Sequence, residues 1–164
     1  MSHILITYYS NSGNTEAMAG SIAEGAQSYS DMQVVTKNVK HISNSDLQNA
    51  DAIIVGSPTY YGTMAAEVKT MFDNSIELHG ALDGKIGAAF ASSGGVGGGN
   101  ETTVLDILKA LLIHGMIIQG SPEGDHYGPV SIGKPDERVV QNCLQLGRRV
   151  TELVKKIKQS GMSA

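Results

Sequence analysis

The chain has 164 residues, 41% of them hydrophobic and 17% charged, with a formal net charge of −4. That length holds one domain with a sizeable core and is short for two. The mild negative charge and the lack of a basic run argue against a nucleic-acid surface, and no apolar segment approaches the roughly 18–20 residues needed to span a bilayer.

Apolar runs alternate with amphipathic stretches along the whole chain. Residues 4–9 read as a buried strand and 15–28 as a helix with Met18, Ile22 and the alanines on one side. A second strand follows at 32–39, a helical turn at 46–49, and a third strand at 52–56. Helical spacing of Met64, Val68, Met71, Phe72 and Ile76 predicts a helix over 64–76. A turn at Asp83-Gly84-Lys85 leads into a fourth strand at 86–91. The next helix covers 101–113, with Val104, Ile107, Leu108 and Leu111 inward. A fifth strand is expected at 116–119. Residues 120–135, with their Gly, Pro and Ser signals, are expected to be loop. A closing helix over 135–158 buries Val139, Cys143, Leu146, Val150, Val154 and Ile157. The domain is expected to span 1–159, with a frayed tail at 160–164.

Strand and helix alternate about five times, and the strands are continuous apolar runs. Both features predict an α/β fold, a doubly wound parallel sheet with helices on both faces. The lone Cys143 permits no intrachain disulfide, which fits a reducing, cytoplasmic setting. The N-terminus is expected to enter the first strand directly, with no charged leader, and no metal site is expected.

Ligands of such sheets bind beyond the carboxyl ends of the strands. That rule selects three loops. The first is Ser10-Asn11-Ser12-Gly13-Asn14-Thr15, which opens a helix. Helix N-termini carry unpaired N–H groups and partial positive charge, and small polar residues add donors, as a phosphate requires. There is no Lys, so a triphosphate loop is excluded, and no GxGxxG, which disfavours a dinucleotide turn. The same residues also read as an ordinary helix cap. The second loop holds Pro58, Thr59, Tyr60, Tyr61 and Gly62; aromatic rings at such a tip can lie against a flat ligand. The third runs from Ser92 to Asn100 and holds Ser93, Gly94, Gly95, Val96, Gly97, Gly98 and Gly99. So many glycines are costly in entropy, and a linker is out of place between two core elements. Bare backbone admits a planar group. One phosphate loop, one aromatic loop and one bare loop together match flavin mononucleotide (FMN).

The stretches YYSNSGNTEAMA, DAIIVGSPTYYGTMAAEVKTMFD, FASSGGVGGGNET and HGM at 114–116 resemble the flavodoxin superfamily. Within it they are most similar to the tryptophan-repressor-binding-protein family of flavodoxin-like NAD(P)H:quinone oxidoreductases. The resemblance implies a flavodoxin-like five-stranded sheet of order 2-1-3-4-5, with residues 10–15 on the FMN phosphate and residues 58–62 and 93–99 along the flavin. It places His114 near the flavin and matches Tyr127-Gly128 to a late loop. It implies a two-electron reductase using NAD(P)H and a quinone or similar acceptor, and a homo-dimer or tetramer. Family members are longer before strand three and around strand five, segments expected to be trimmed here. Two alternatives stand beside the enzyme: a one-electron carrier that docks on redox protein partners, and a shell that has lost its cofactor.

Overall fold

The computed structural model describes residues 2–161. Strand β1 (Ser2–Tyr8) leads to helix α1 (Asn14–Gln27), β2 (Met32–Asn38) and, after a single 3-10 turn, the short α2 (Asn44–Asn49). Next come β3 (Ala52–Tyr60), β4 (Thr63–Met64), α3 (Ala66–Asn74), β5 (Ile86–Ser93) and α4 (Asn100–Ile113). The chain closes with β6 (Ile117–Ile118), β7 (Val130–Ile132) and α5 (Glu137–Gln159). Of the expected tail, Ser160 and Gly161 form a turn, and residues 162–164 lie outside the described residues.

The sheet runs β2-β1-β3-β5-β6, which is the expected order once the small β4 is set aside. All four of those pairings are parallel. Side chains of successive strand residues point to opposite faces, and both faces are apolar. Ile4, Ile6 and Ile54 pack with Met18 and Ile22 of α1 and with Val139, Cys143 and Val150 of α5. Leu5, Ile53 and Val55 pack on the other face with Leu47 of α2, Val68 of α3 and Ile107 of α4. A sheet covered on both sides explains why β1, β3 and β5 are continuous apolar runs.

Register brings the strand ends to one edge. Tyr8 pairs with Asn38 on one side and Gly56 on the other, and Gly56 pairs with Phe90. The segments after β1, β3 and β5 therefore emerge side by side.

Several boundaries differ from expectation. The fifth strand position is shared by two short pieces. Ile117 and Ile118 pair with Ile86 and Gly87, whereas Val130–Ile132 pairs with Ala91–Ser93. Residues 119–129 leave the sheet between them, so 120–135 is not all loop. The break has a composition cause: Gly120, Ser121, Pro122, Gly124, Gly128 and Pro129 cannot propagate a ladder. Strand β3 runs on through residues expected to be loop. Helix α3 ends at Asn74, and Ile76, expected on its buried face, is exposed. Helix α2 starts earlier than expected because Ser43 and Asp46 form a reciprocal capping box.

Candidate functional site

Three segments and the end of β7 converge at the carboxyl edge of the sheet. The two helices that start there, α1 and α4, share one device. Each begins after a glycine in the left-handed region, Gly13 at φ 87° and Gly99 at φ 95°, and neither carries a side-chain cap. A left-handed cap suits glycine; in α4 the Asn100 side chain accepts from the Glu101 N–H at 2.8 Å, whereas no side chain caps α1.

In the first segment, the earliest helical bond of α1 runs from the Ala17 N–H to the Gly13 carbonyl at 2.9 Å. The N–H groups of Asn14, Thr15 and Glu16 have no acceptor within the helix. The Gly13 N–H donates to Ser10 Oγ at 3.1 Å, which curls the loop. Thr15 is buried, and its hydroxyl shares a 2.9 Å hydrogen bond with Ser92 at the end of β5. Glu16 is the one carboxylate in this turn, and it accepts from the Tyr8 hydroxyl at 2.6 Å. Burial, with that carboxylate beside it, pushes the Tyr8 phenol up to about 12. The phenol thus stays protonated and keeps donating, which draws the Glu16 charge away from the helix mouth.

The second segment is a hairpin. Thr59 pairs with Met64 and Tyr60 with Thr63, antiparallel. Tyr61 and Gly62 form the tip with φ of 49° and 79°. Two consecutive positive φ values define a type I′ turn, whose twist matches the flanking strands. Tyr61 is the one non-glycine with positive φ among the described residues, at a cost of roughly 1–2 kcal/mol. Its ring is fully exposed. Buried Ser57 staples the base of the hairpin: its Oγ accepts from the Ala65 N–H at 2.9 Å and donates to the Pro58 carbonyl at 2.8 Å.

Helix α4 grips this hairpin from the third segment. Thr102 Oγ1 lies 2.9 Å from the carbonyl oxygens of both Gly62 and Gly99 and donates across the gap. Thr63 donates to Asp106 at 2.6 Å. A Cβ on Gly99 would sit 2.9 Å from the Gly62 Cα, so the two segments touch backbone to backbone. The glycine loop itself is pinned at its start. Ser93 Oγ donates to the Gly95 carbonyl at 3.2 Å, and the Gly133 N–H donates to the Ser93 carbonyl at 2.8 Å. Beyond Ser93, Gly94 and Gly97 are exposed, and Val96 presents its side chain to solvent.

These segments enclose an open cleft of about 230 Å³. Of the residues singled out from sequence, Asn11, Ser12, Asn14, Pro58, Thr59, Tyr60, Ser93 and Gly94 line it. Ser10, Gly13, Thr15, Tyr61, Gly62, Gly95, Val96, Gly97, Gly98 and Gly99 belong to the same segments and shape its walls. Ser92, the first residue of the third loop, and Gly133 also line it, and Gly133 was not anticipated. Gly133 was hidden because the triplet Val130-Ser131-Ile132, a strand-like run between Gly128 and Gly133, was read as loop.

His114 is not brought to the cleft. It caps the far end of α4, about 20 Å from the glycine loop at 1.5 Å per residue. Ser75 donates to the Phe72 carbonyl at 2.7 Å, so its oxygen accepts from His114 Nε2, 2.8 Å away. Burial, together with the neighbouring His79, pulls the imidazole pKa down. Tyr127 and Gly128 also stand apart: they belong to the 119–129 insert, where they flank Asn142 and Arg149 of α5. Among the described residues no group of acidic, His or Cys side chains could hold a metal, and no helix is long and apolar enough to cross a membrane.

The parallel order, the helix N-terminus after β1 and the two further loops at the same edge define a flavodoxin-like site. A family model described as NADPH-dependent FMN reductase matches residues 26–124. A flavodoxin from Aquifex aeolicus is 40% identical over 162 residues, covering 94% of this chain and 88% of that protein. An NAD(P)H dehydrogenase (quinone) from Archaeoglobus fulgidus is 33% identical over 190 residues, covering 96% and 100%. A solved WrbA-like flavodoxin from Agrobacterium tumefaciens superposes with a TM-score of 0.82 at 23% identity, covering 95% and 99%, a likeness of fold. The chain belongs to the flavodoxin-like NAD(P)H:quinone oxidoreductase family, a family of FMN proteins.

Proposed function

We propose that this chain is an FMN-dependent oxidoreductase that moves electrons in pairs from NAD(P)H to a quinone or a similar flat acceptor. The observation that carries this reading is the character of the cleft. Residues 10–15, 57–64, 92–100 and 131–133 hold no charged side chain, and one wall is bare glycine backbone. A neutral, open wall suits a flat uncharged substrate. A carrier that docks on proteins gains more from charge at its rim.

The residues fit FMN. Its single phosphate needs several donors and no cation of its own. The free N–H groups of Asn14, Thr15 and Glu16, with Ser10, Asn11 and Ser12 around them, supply those donors at the positive end of α1. Tyr60, Pro58 and Thr59 would form one wall for the ring system and residues 93–99 the other. When bound, FMN supplies the redox chemistry, taking a hydride equivalent from NAD(P)H and passing electrons to the acceptor. The protein's share is to hold and orient. The hairpin tip is fixed by Thr102, the glycine loop by Ser93 and Gly133, and backbone N–H groups of that loop can stabilise negative charge. No side chain in the cleft has to act as a nucleophile or a strong acid.

One observation favours a second reading. The relative at 40% identity bears the name flavodoxin, and exposed tyrosines at the hairpin tip suit a one-electron carrier. Anaerobic spectroscopy separates the two. The enzyme reading predicts that NADH or NADPH bleaches the FMN-loaded protein directly and that benzoquinone restores the colour. No bleaching by either nucleotide, with a long-lived one-electron form on dithionite addition, would establish the carrier.

A further inference from the structure

A second cavity among the described residues is larger than the cleft. It is a groove of about 340 Å³ between the segment 39–47 and α3, within the range of small-molecule sites, about 300–1,000 Å³. Its floor is apolar, from buried Val39, Leu47 and Met71. Its rim carries the uncharged polar side chains of Asn44, Thr70 and Asn74. An apolar slot edged by amides and a hydroxyl suits a purine, which is flat and has hydrogen-bonding groups only at its edge.

The groove opens at the same edge of the sheet as the cleft. Lys40 at its mouth follows the end of β2, and the Tyr8–Asn38 pairing sets it beside Tyr9 at the end of β1. The Lys40 ammonium stands 5.1 Å over the Tyr9 ring. No carboxylate among the described residues pairs with Lys40, whereas Lys37 nearby is held by Asp46 at 2.6 Å. Glu67 is the one carboxylate lining the groove, and its proximity raises the Tyr9 phenol pKa. Tyr9 in turn reaches the cleft: its N–H donates to the Gly56 carbonyl at 3.2 Å, and Ser57-Pro58 follow directly. Two strand spacings, about 10 Å, separate the ends of β2 and β3, within reach of a dinucleotide.

We propose that this groove receives the adenosine end of NADPH, with Lys40 pairing its 2′-phosphate and Tyr9 bridging to the cleft. The proposal rests on the NAD(P)H reading above and adds the preference for the phosphorylated nucleotide.

The test uses the FMN-loaded full chain and two fragments, adenosine 2′-phosphate and adenosine 5′-phosphate, followed by amide NMR shifts. The expected result is that Lys40, Thr70 and Asn74 move and that the 2′-phosphate binds about tenfold tighter, the size of one charge-assisted contact. K40M should erase that difference. T70W, a change at an exposed position that fills the groove, should weaken both fragments. In kinetics, K40M should raise the KM ratio of NADPH to NADH about tenfold. Shifts confined to other surfaces, or a preference that survives K40M, overturn the proposal. If NADPH bleaches the wild type and both variants equally, the groove is wrong and the reductase stands. If the fragments bind as described and neither nucleotide bleaches the flavin, the groove stands and the reductase reading fails.

Discussion

Single residues at the edge of the sheet divide into those that meet the ligand and those that hold them in place. His114 belongs to neither group. Its Nε2 is held by Ser75 at the opposite end of α4 while its buried Nδ1 has no partner, so H114Q should leave FMN affinity within about twofold and cost about 1 kcal/mol of stability for the altered hydrogen bond. Fluorescence titration and urea unfolding check the two halves, and a tenfold loss of FMN affinity would refute the placement. Tyr61 shows the reverse situation, local strain at a functional edge. Replacing it by a residue that tolerates the left-handed region, Y61N, should raise the stability of the apoprotein by about 1 kcal/mol. An unchanged or lower urea midpoint would mean that the tip is not strained. Among the site residues, those in polar loops were visible in the sequence because their types are unusual for their positions. Gly133 was not, since what makes it matter is the strand pairing that delivers it to the cleft.

Pairs of elements supply the rigidity that the loops lack on their own. The hairpin β3–β4 and the start of α4 are locked where Gly99 meets Gly62. G99A forces a side chain into both a positive φ and a backbone contact, so it should cost about 1–3 kcal/mol and weaken FMN binding at least tenfold, read by urea unfolding and by FMN titration. Wild-type behaviour in both would show that the loops do not rely on each other. On the far side of the sheet, α2 depends on its cap. Hydrogen bonds from Lys37 and from Ser43 lower Asp46 from its ordinary 3.8 to about 2. A depressed carboxyl stabilises the fold above its unfolded pKa and loses that contribution as pH falls, here between about pH 4 and pH 2. D46N should lose about 1 kcal/mol at neutral pH and show a shallower acid-side decline than the wild type in urea midpoints taken across that range. Helix and strand types followed from apolar spacing, as the buried stripe of α5 shows. Boundaries did not: β3 continues to Tyr60 because the hairpin pairs it, and no local pattern announces that.

The whole molecule places a neutral cleft at the edge where its strands end, and that arrangement follows from the order of the apolar runs. Continuous hydrophobic strands required a sheet covered on both faces, and parallel crossovers brought the loops after β1, β3 and β5 together. What the linear pattern concealed is tertiary in origin. The fifth strand position is filled by two pieces that pair with opposite ends of β5, and His114 is carried away from the cleft by the full length of α4. In the proposed function, three uncharged segments hold FMN chiefly through its phosphate at the start of α1. The most direct measurement is a pair of fluorescence titrations of the apoprotein, one with FMN and one with riboflavin, which differ only in that phosphate. Several charge-assisted hydrogen bonds of about 1.5–3 kcal/mol each predict FMN binding at least a hundredfold tighter. Equal affinity for the two flavins, or no binding of either, would contradict the account.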